Sequence, residues 1–177
     1  MTILAIAEHE NATVKGATLN TVAAATKIGG EVHLLVAGHN AQGAAEAAAK
    51  IAVVSKALLA DAPQLEAGLA ENVEATVLNI TKDYSHIVAP ATAAGKNVTP
   101  RIPAKLDVAQ ISDITAVVSA DTFQRPIWKR RSSAWPTTAS SVTCSPRFRS
   151  WLEPFSARTA DAPQTCRVRA LCFKLID

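Results

Sequence analysis

Apolar residues in this chain gather into short compact runs, separated by stretches in which they recur at helical spacing. Residues 3–7 form one such run, closed by Glu8-His9-Glu10-Asn11, and predict a buried strand followed by a polar loop. Over residues 17–28, Leu19, Val22 and Ala23 share one stripe while Asn20 and Lys27 fall off it. Gly29-Gly30 then supplies a stop, so a helix is expected. Residues 32–37 predict a second strand, broken by Gly38-His39-Asn40, and the alanine-rich stretch 41–52 a second helix. Residues 56–60 predict a third strand, after which Asp61 is placed to cap a helix that Pro63 helps to start and that runs to about Thr81. Residues 86–89 close the series as a fourth strand.

Strand and helix alternate from residue 3 to residue 89, and each crossover is long enough to pack back on the sheet. The pattern predicts an α/β domain with a mostly parallel sheet covered on both faces, a Rossmann-like three-layer α/β/α arrangement. Open parallel sheets place ligands or partners at the C-terminal ends of their strands, which draws attention to the stretch 84–122. There the fourth strand is followed by a loop ending in Gly95-Lys96-Asn97. A helix comes next, with Thr99 as a plausible N-cap, Pro100 first and Pro103 fourth, then a second strand, with Ala116-Val117-Val118 and Thr122-Phe123 reading as more strand. Pro103 any deeper in that helix would cost about 3 kcal/mol.

The loop carries suggestive chemistry. Gly95 allows close approach of a ligand to the backbone, a helix N-terminus presents unpaired N–H groups, and Lys96 adds a cation. Thr92, Gly95, Lys96 and Asn97 are therefore the candidate nucleotide- or partner-facing residues. A phosphate loop proper requires GxxxxGK[ST]; here Pro90 stands at the first glycine and Asn97 at the hydroxyl position, and no GxGxxG occurs. A structural or subunit-facing turn accounts for the four residues better. His9, His33, His39 and His86 show no ligand spacing, His33 alternating with apolar neighbours as a satisfied strand histidine does. His9 between Glu8 and Glu10 fits a solvated loop as well as acid/base work. No GxSxG nucleophile elbow is present, and neither a catalytic nor a metal-binding set is expected.

Composition changes the picture only past residue 126. The net charge of +3 over 177 residues divides into −3 for residues 1–126 and +6 for 127–177; every Trp and every Cys lies in the second part, and the last Gly is Gly95. Three unevenly spaced cysteines make neither a disulfide framework nor a metal pattern. Lys129-Arg130-Arg131 and Arg147-Phe148-Arg149-Ser150-Trp151 mix basic and aromatic residues as a nucleic-acid-binding arm would, but a break in the chain's own character explains them better, and no nucleic acid is expected. No window reaches the roughly 18 apolar residues of a membrane span, and Met1 leads straight into a strand. A bacterial cytoplasmic protein without membrane insertion is the expectation.

The stretch Ala89-Pro90-Ala91-Thr92-Ala93-Ala94-Gly95-Lys96-Asn97-Val98, followed by Pro100-Arg101 and by Asp107-Val108-Ala109-Gln110-Ile111-Ser112-Asp113-Ile114, resembles the N-terminal domain of the electron transfer flavoprotein alpha-subunit family. The resemblance runs from Met1 to about Ile127. It implies an adenine-nucleotide-hydrolase-like fold, here incomplete at its C-terminal end, and an apolar residue in place of Pro103. It also implies an alpha/beta heterodimer that accepts electrons on FAD from acyl-CoA and other primary dehydrogenases and passes them to a membrane-bound quinone oxidoreductase. In that family the FAD is held mainly by a C-terminal alpha domain, whose motifs have no match after Ile127, so the expected role is that of an electron-carrier fragment without the main flavin site. The alternative is a subunit-interaction or nucleotide-binding α/β module, taking an AMP-type nucleotide, with no redox activity.

After Arg125-Pro126-Ile127 the family continues Tyr-Ala-Gly-Asn-Ala, where this chain has Trp128-Lys129-Arg130-Arg131. One set of synonymous codons for those four residues, read one base later, gives Gly-Asn-Ala. Residues 128–177 are accordingly expected to be a basic, out-of-frame and poorly ordered tail, leaving an exposed sheet edge or apolar face on the domain.

Overall fold

The computed structural model describes residues 1–125 and, beyond them, two strands at 164–167 and 172–176. The expected tail thus lies outside the described residues apart from those strands.

The first apolar run forms β1 (Thr2–Ile6), buried from Ile3 onward. The polar stretch after it is a tight hairpin of two-residue strands, β2 (His9–Glu10) and β3 (Thr13–Val14), where a plain loop was expected. α1 (Gly16–Ile28) follows, ended by Gly29 at φ 87° and Gly30 at φ 121°, the region open to glycine. β4 (Glu31–Gly38), α2 (Gln42–Ala49) and β5 (Val54–Asp61) continue the alternation.

The helix expected from Asp61-Pro63 starts later. Pro63–Leu65 make one 3-10 turn, Gly68 at φ 58° breaks the chain direction, and α3 (Ala70–Ile80) begins after Leu69. The Asp61 carboxylate is engaged elsewhere, accepting the Asn40 N–H at 3.1 Å. β6 (His86–Pro90) is buried throughout.

Two short helices, α4 (Ala93–Val98) and α5 (Arg101–Leu106), then replace the expected loop and single helix. Gly95-Lys96-Asn97 are helical and not loop residues. Thr99 closes α4, its hydroxyl donating to the Gly95 carbonyl, and does not cap the next helix. Pro103 is the third residue of α5, where its missing N–H is one that a first turn leaves unpaired anyway, so no helical hydrogen bond is lost. Asp107, left-handed at φ 53°, ends α5. β7 (Gln110–Ile114), β8 (Ala116–Ser119) and β9 (Thr122–Arg125) complete residues 1–125, and β10 (Gln164–Arg167) and β11 (Cys172–Ile176) are the later strands.

The main sheet runs β5-β4-β1-β6-β11-β7 with every pairing parallel, and β10-β9-β8 form a separate antiparallel sheet. One face is covered by α1 and α2, through Val22, Ala25, Ala44 and Ala48, and also receives Ile111, Ile114 and Phe123. The other is covered by α3, α4 and α5, through Val73, Val77, Val98 and Ile102. This is the expected three-layer Rossmann-like architecture. Burying apolar strands on both faces is what makes them read as continuous apolar runs in the sequence. His33 is satisfied as expected, its Nδ1 hydrogen-bonding the Tyr84 hydroxyl at 2.9 Å.

The chain moves from β1 outward through β4 to β5, then returns to the far side of β1 with β6. The connections after β1 and β6 therefore diverge between those two strands, which is where open α/β sheets form their binding crevice.

Candidate functional site

Glu8, two residues past β1, and Thr92, two residues past β6, meet at that switch point. Thr92 is extended (φ −77°, ψ 170°) and its hydroxyl oxygen accepts the Gly95 N–H at 3.2 Å, capping α4. The Thr92 hydroxyl is the largest influence on the Glu8 carboxyl, holding it below the ordinary carboxylate value; burial opposes this, and Lys15 adds to it. The approach stops short of a formed hydrogen bond, since Glu8 Oε2 is enclosed with no partner at hydrogen-bonding distance.

The backbone of Glu8 is fixed by Thr18, which accepts its N–H at 2.8 Å and donates to its carbonyl at 3.0 Å. Oε1 pairs with Lys15 Nζ at 3.1 Å. The half-buried Glu8 carboxylate thus stands at this crevice, its backbone tied to α1 through Thr18 and its Oε1 paired with Lys15. An anionic phosphate entering there would meet like charge.

Gly95 is in contact with the strand it follows. A Cβ at this position would lie 1.9 Å from the Pro90 carbonyl oxygen, so the glycine permits α4 to seat on the end of β6. Lys96 turns away toward β7 and pairs with Asp113 at 3.2 Å. These two residues, with Pro100, Gln110 and Ser112, border an open groove. Asn97 is exposed. Of the four candidate residues, Thr92 and Gly95 are brought together, while Lys96 turns toward Asp113 and Asn97 is exposed.

His9 is held against β4 and is not a free loop side chain. Its Nε2–H donates to the Ala37 carbonyl at 3.0 Å, and its ring lies so close to Gly38 that a Cβ there would be 2.7 Å from Cε1. His39 faces Asp61 at 3.4 Å beside Asn40, which is left-handed at φ 54°. Among the described residues no group of three or more His, Cys, Asp or Glu is placed to hold a metal ion, and no helix is long and apolar enough to cross a membrane. Sequence reasoning missed the approach of Thr92 to Glu8. The available signal was positional: both residues stand two places past neighbouring parallel strands, at the point where the strand order reverses.

The chain matches the model of the electron transfer flavoprotein domain over residues 3–164, a span that runs past residue 127. It is 53% identical over 142 residues to the electron transfer flavoprotein subunit alpha of Pseudomonas aeruginosa, covering 80% of this chain and 46% of that protein. The subunit alpha of Paracoccus denitrificans is 44% identical over 128 residues, covering 72% of this chain and 42% of the relative. That of Bradyrhizobium diazoefficiens is 50% identical over 128 residues, covering 72% and 41%. The chain spans less than half the length of these relatives. This extent of likeness, carried on a doubly covered parallel sheet, places the chain in the electron transfer flavoprotein family, as a fragment corresponding to the N-terminal domain of its alpha subunit.

Proposed function

We propose that this chain serves as the partner-docking domain of an electron transfer flavoprotein alpha subunit, and that it does not itself hold the flavin. The whole protein's work on this reading is to accept electrons on FAD from primary dehydrogenases such as acyl-CoA dehydrogenases, within a heterodimer with a beta subunit. With bacterial relatives at this level of identity, a cytoplasmic location belongs to the same proposal.

The observation that carries the reading is the Glu8 carboxylate standing at the switch point, paired with Lys15. A flavin needs groups that cradle its pyrophosphate and tune its ring. Here the crevice presents the ionised Glu8 carboxylate; Thr92 is committed to capping α4, and Gly95 to contact with Pro90. These residues do not fit FAD or an AMP-type nucleotide. What remains at this edge of the sheet is a polar surface rich in paired charges, including Lys96–Asp113, suited to meeting another protein.

The test is co-expression with a beta subunit and measurement of visible absorbance. Colourless chain that co-purifies with the beta subunit is expected. Chain that purifies yellow by itself would contradict the missing flavin site, and tight AMP binding by colourless chain would favour the nucleotide-binding alternative. Translation out of frame from about residue 128 is part of the same proposal. Sequencing the gene and its transcript tests it, and it fails if no frame restores Tyr-Ala-Gly-Asn-Ala after Ile127.

A further inference from the structure

We infer that the space between β6 and β7 is a strand-acceptor site, and that its occupant is the chain's own segment 172–176, recognised through its backbone. β6 and β7 are successive strands of the chain's N-terminal part, yet they do not pair with each other. β11 lies between them and pairs in parallel with both. Against β6 the register is unbroken, from Cys172 opposite His86 to Ile176 opposite Pro90. Against β7 it runs from Phe173 opposite Gln110 to Ile176 opposite Ile114, with an irregularity between Lys174 and Ile176.

The slot requires an occupant on physical grounds. All five residues of β6 are buried with β11 in place, and without it the N–H and C=O groups of β6 on that side would form an unpaired edge open to another strand. Among the described residues, β7 is hydrogen-bonded into the main sheet only through β11. β10, four residues earlier in the chain, pairs antiparallel with β9 from Gln164 opposite Arg125 to Arg167 opposite Thr122. Residues 164–167 and 172–176 thus contribute one strand to each sheet.

Strand addition takes its affinity from main-chain hydrogen bonds and tolerates varied side chains. That tolerance explains how a segment from the basic, cysteine-containing part of the chain, unlike the domain in composition, can complete a sheet laid down by residues 1–114. Cys-Phe-Lys-Leu-Ile also combines aromatic and branched residues suited to a strand. The inference is independent of any flavin or partner.

Hydrogen exchange of the full chain, read segment by segment, tests it. In the unaltered chain, amides of 172–176 should be protected to within about tenfold of those of 86–90 and 110–114; complete exchange of 172–176 at the earliest time point would overturn the inference. Lys174→Pro removes an N–H and cannot sit in a central strand. It should speed exchange in both 86–90 and 110–114 at least tenfold, whereas Lys174→Ala should not. A synthetic peptide of residues 168–177 should restore protection to the proline variant. If Lys174→Pro unfolds the whole chain, the protection pattern of the unaltered chain decides alone. Unchanged exchange of 86–90 and 110–114 in a folded proline variant would overturn the inference. So would protection of 172–176 that arises only with a concentration-dependent dimer, since that would assign the strand to a second copy.

Discussion

Replacing Gly95 with alanine sets two effects against each other, and the structure says which should win. Gly95 lies inside α4, where alanine is intrinsically better by about 1 kcal/mol. The new methyl would sit 1.9 Å from the Pro90 carbonyl oxygen, whereas real Cβ contacts essentially never fall below 3.0 Å, so helix and strand end must separate by roughly 1 Å. The obstacle is backbone, not a side chain that can swing aside. Overfilling of this kind costs about 1 to 3 kcal/mol. A shift of that size also pulls the Gly95 N–H from Thr92, weakening a cap worth about 1 kcal/mol. The net expectation is a loss of about 1 to 3 kcal/mol. Urea unfolding followed by far-ultraviolet circular dichroism measures it, with an unchanged m-value confirming that the difference is one of stability. Gly16→Ala at the first residue of α1 is the control: a Cβ there meets nothing within 4 Å, and the variant should be neutral or slightly stabilised. If Gly95→Ala proves as stable as the parent, or more so, helix propensity has won and the close seating of α4 on β6 is refuted.

Three further substitutions probe the same framework. Thr92→Val should cost about 1 kcal/mol by removing the α4 cap, with Thr92→Ser recovering most of it in the same unfolding assay. Because the folded-state Glu8 pKa is lowered, its contribution is present above the ordinary carboxylate value of 4.5 and is lost as pH falls through the folded value. Glu8→Gln should therefore flatten the loss of stability on acidification below about pH 4.5, and melts across that range would show no change in slope if the reasoning is wrong. Lys105→Met should cost about 1 to 2 kcal/mol, more than an exposed ion pair is worth, because it strands the Glu74 carboxylate, only 5% exposed and 2.7 Å from Lys105 Nζ; adding Glu74→Leu should recover part of the loss. Phe123→Ala empties a fully buried position that fixes β9 to the core and should cost about 3 to 5 kcal/mol by thermal or urea unfolding.

The layered fold was legible because its strands are short apolar runs, but the stripe expected on the first helix was misplaced: α1 buries Thr18, Thr21, Val22, Ala25 and Ile28, while Leu19 and Ala23 are exposed, because the two threonines face inward with their hydroxyls bonded to backbone carbonyls. β1, β4, β5 and β6 each fall within two residues of the expected run. The misplaced boundaries share a cause. Proline and potential capping residues mark a turn without saying which helix owns it: Pro63 opens a 3-10 turn and Thr99 finishes α4. Gly95 looked like a ligand-facing glycine because permissiveness toward a ligand and toward a neighbouring strand is the same property, the absence of a Cβ. Only the placement of Pro90 separates the two. Glu8 and Thr92 are more than eighty residues apart, and their meeting depends on strand order, which periodicity does not encode.

The most direct measurement is the visible absorbance and subunit content of this chain purified alone and after co-expression with an electron transfer flavoprotein beta subunit. Colourless chain that is retained by the beta subunit is the predicted result. Chain that purifies alone with stoichiometric flavin, or that shows no association with the beta subunit, would contradict the assignment of a docking domain whose switch point carries its own carboxylate.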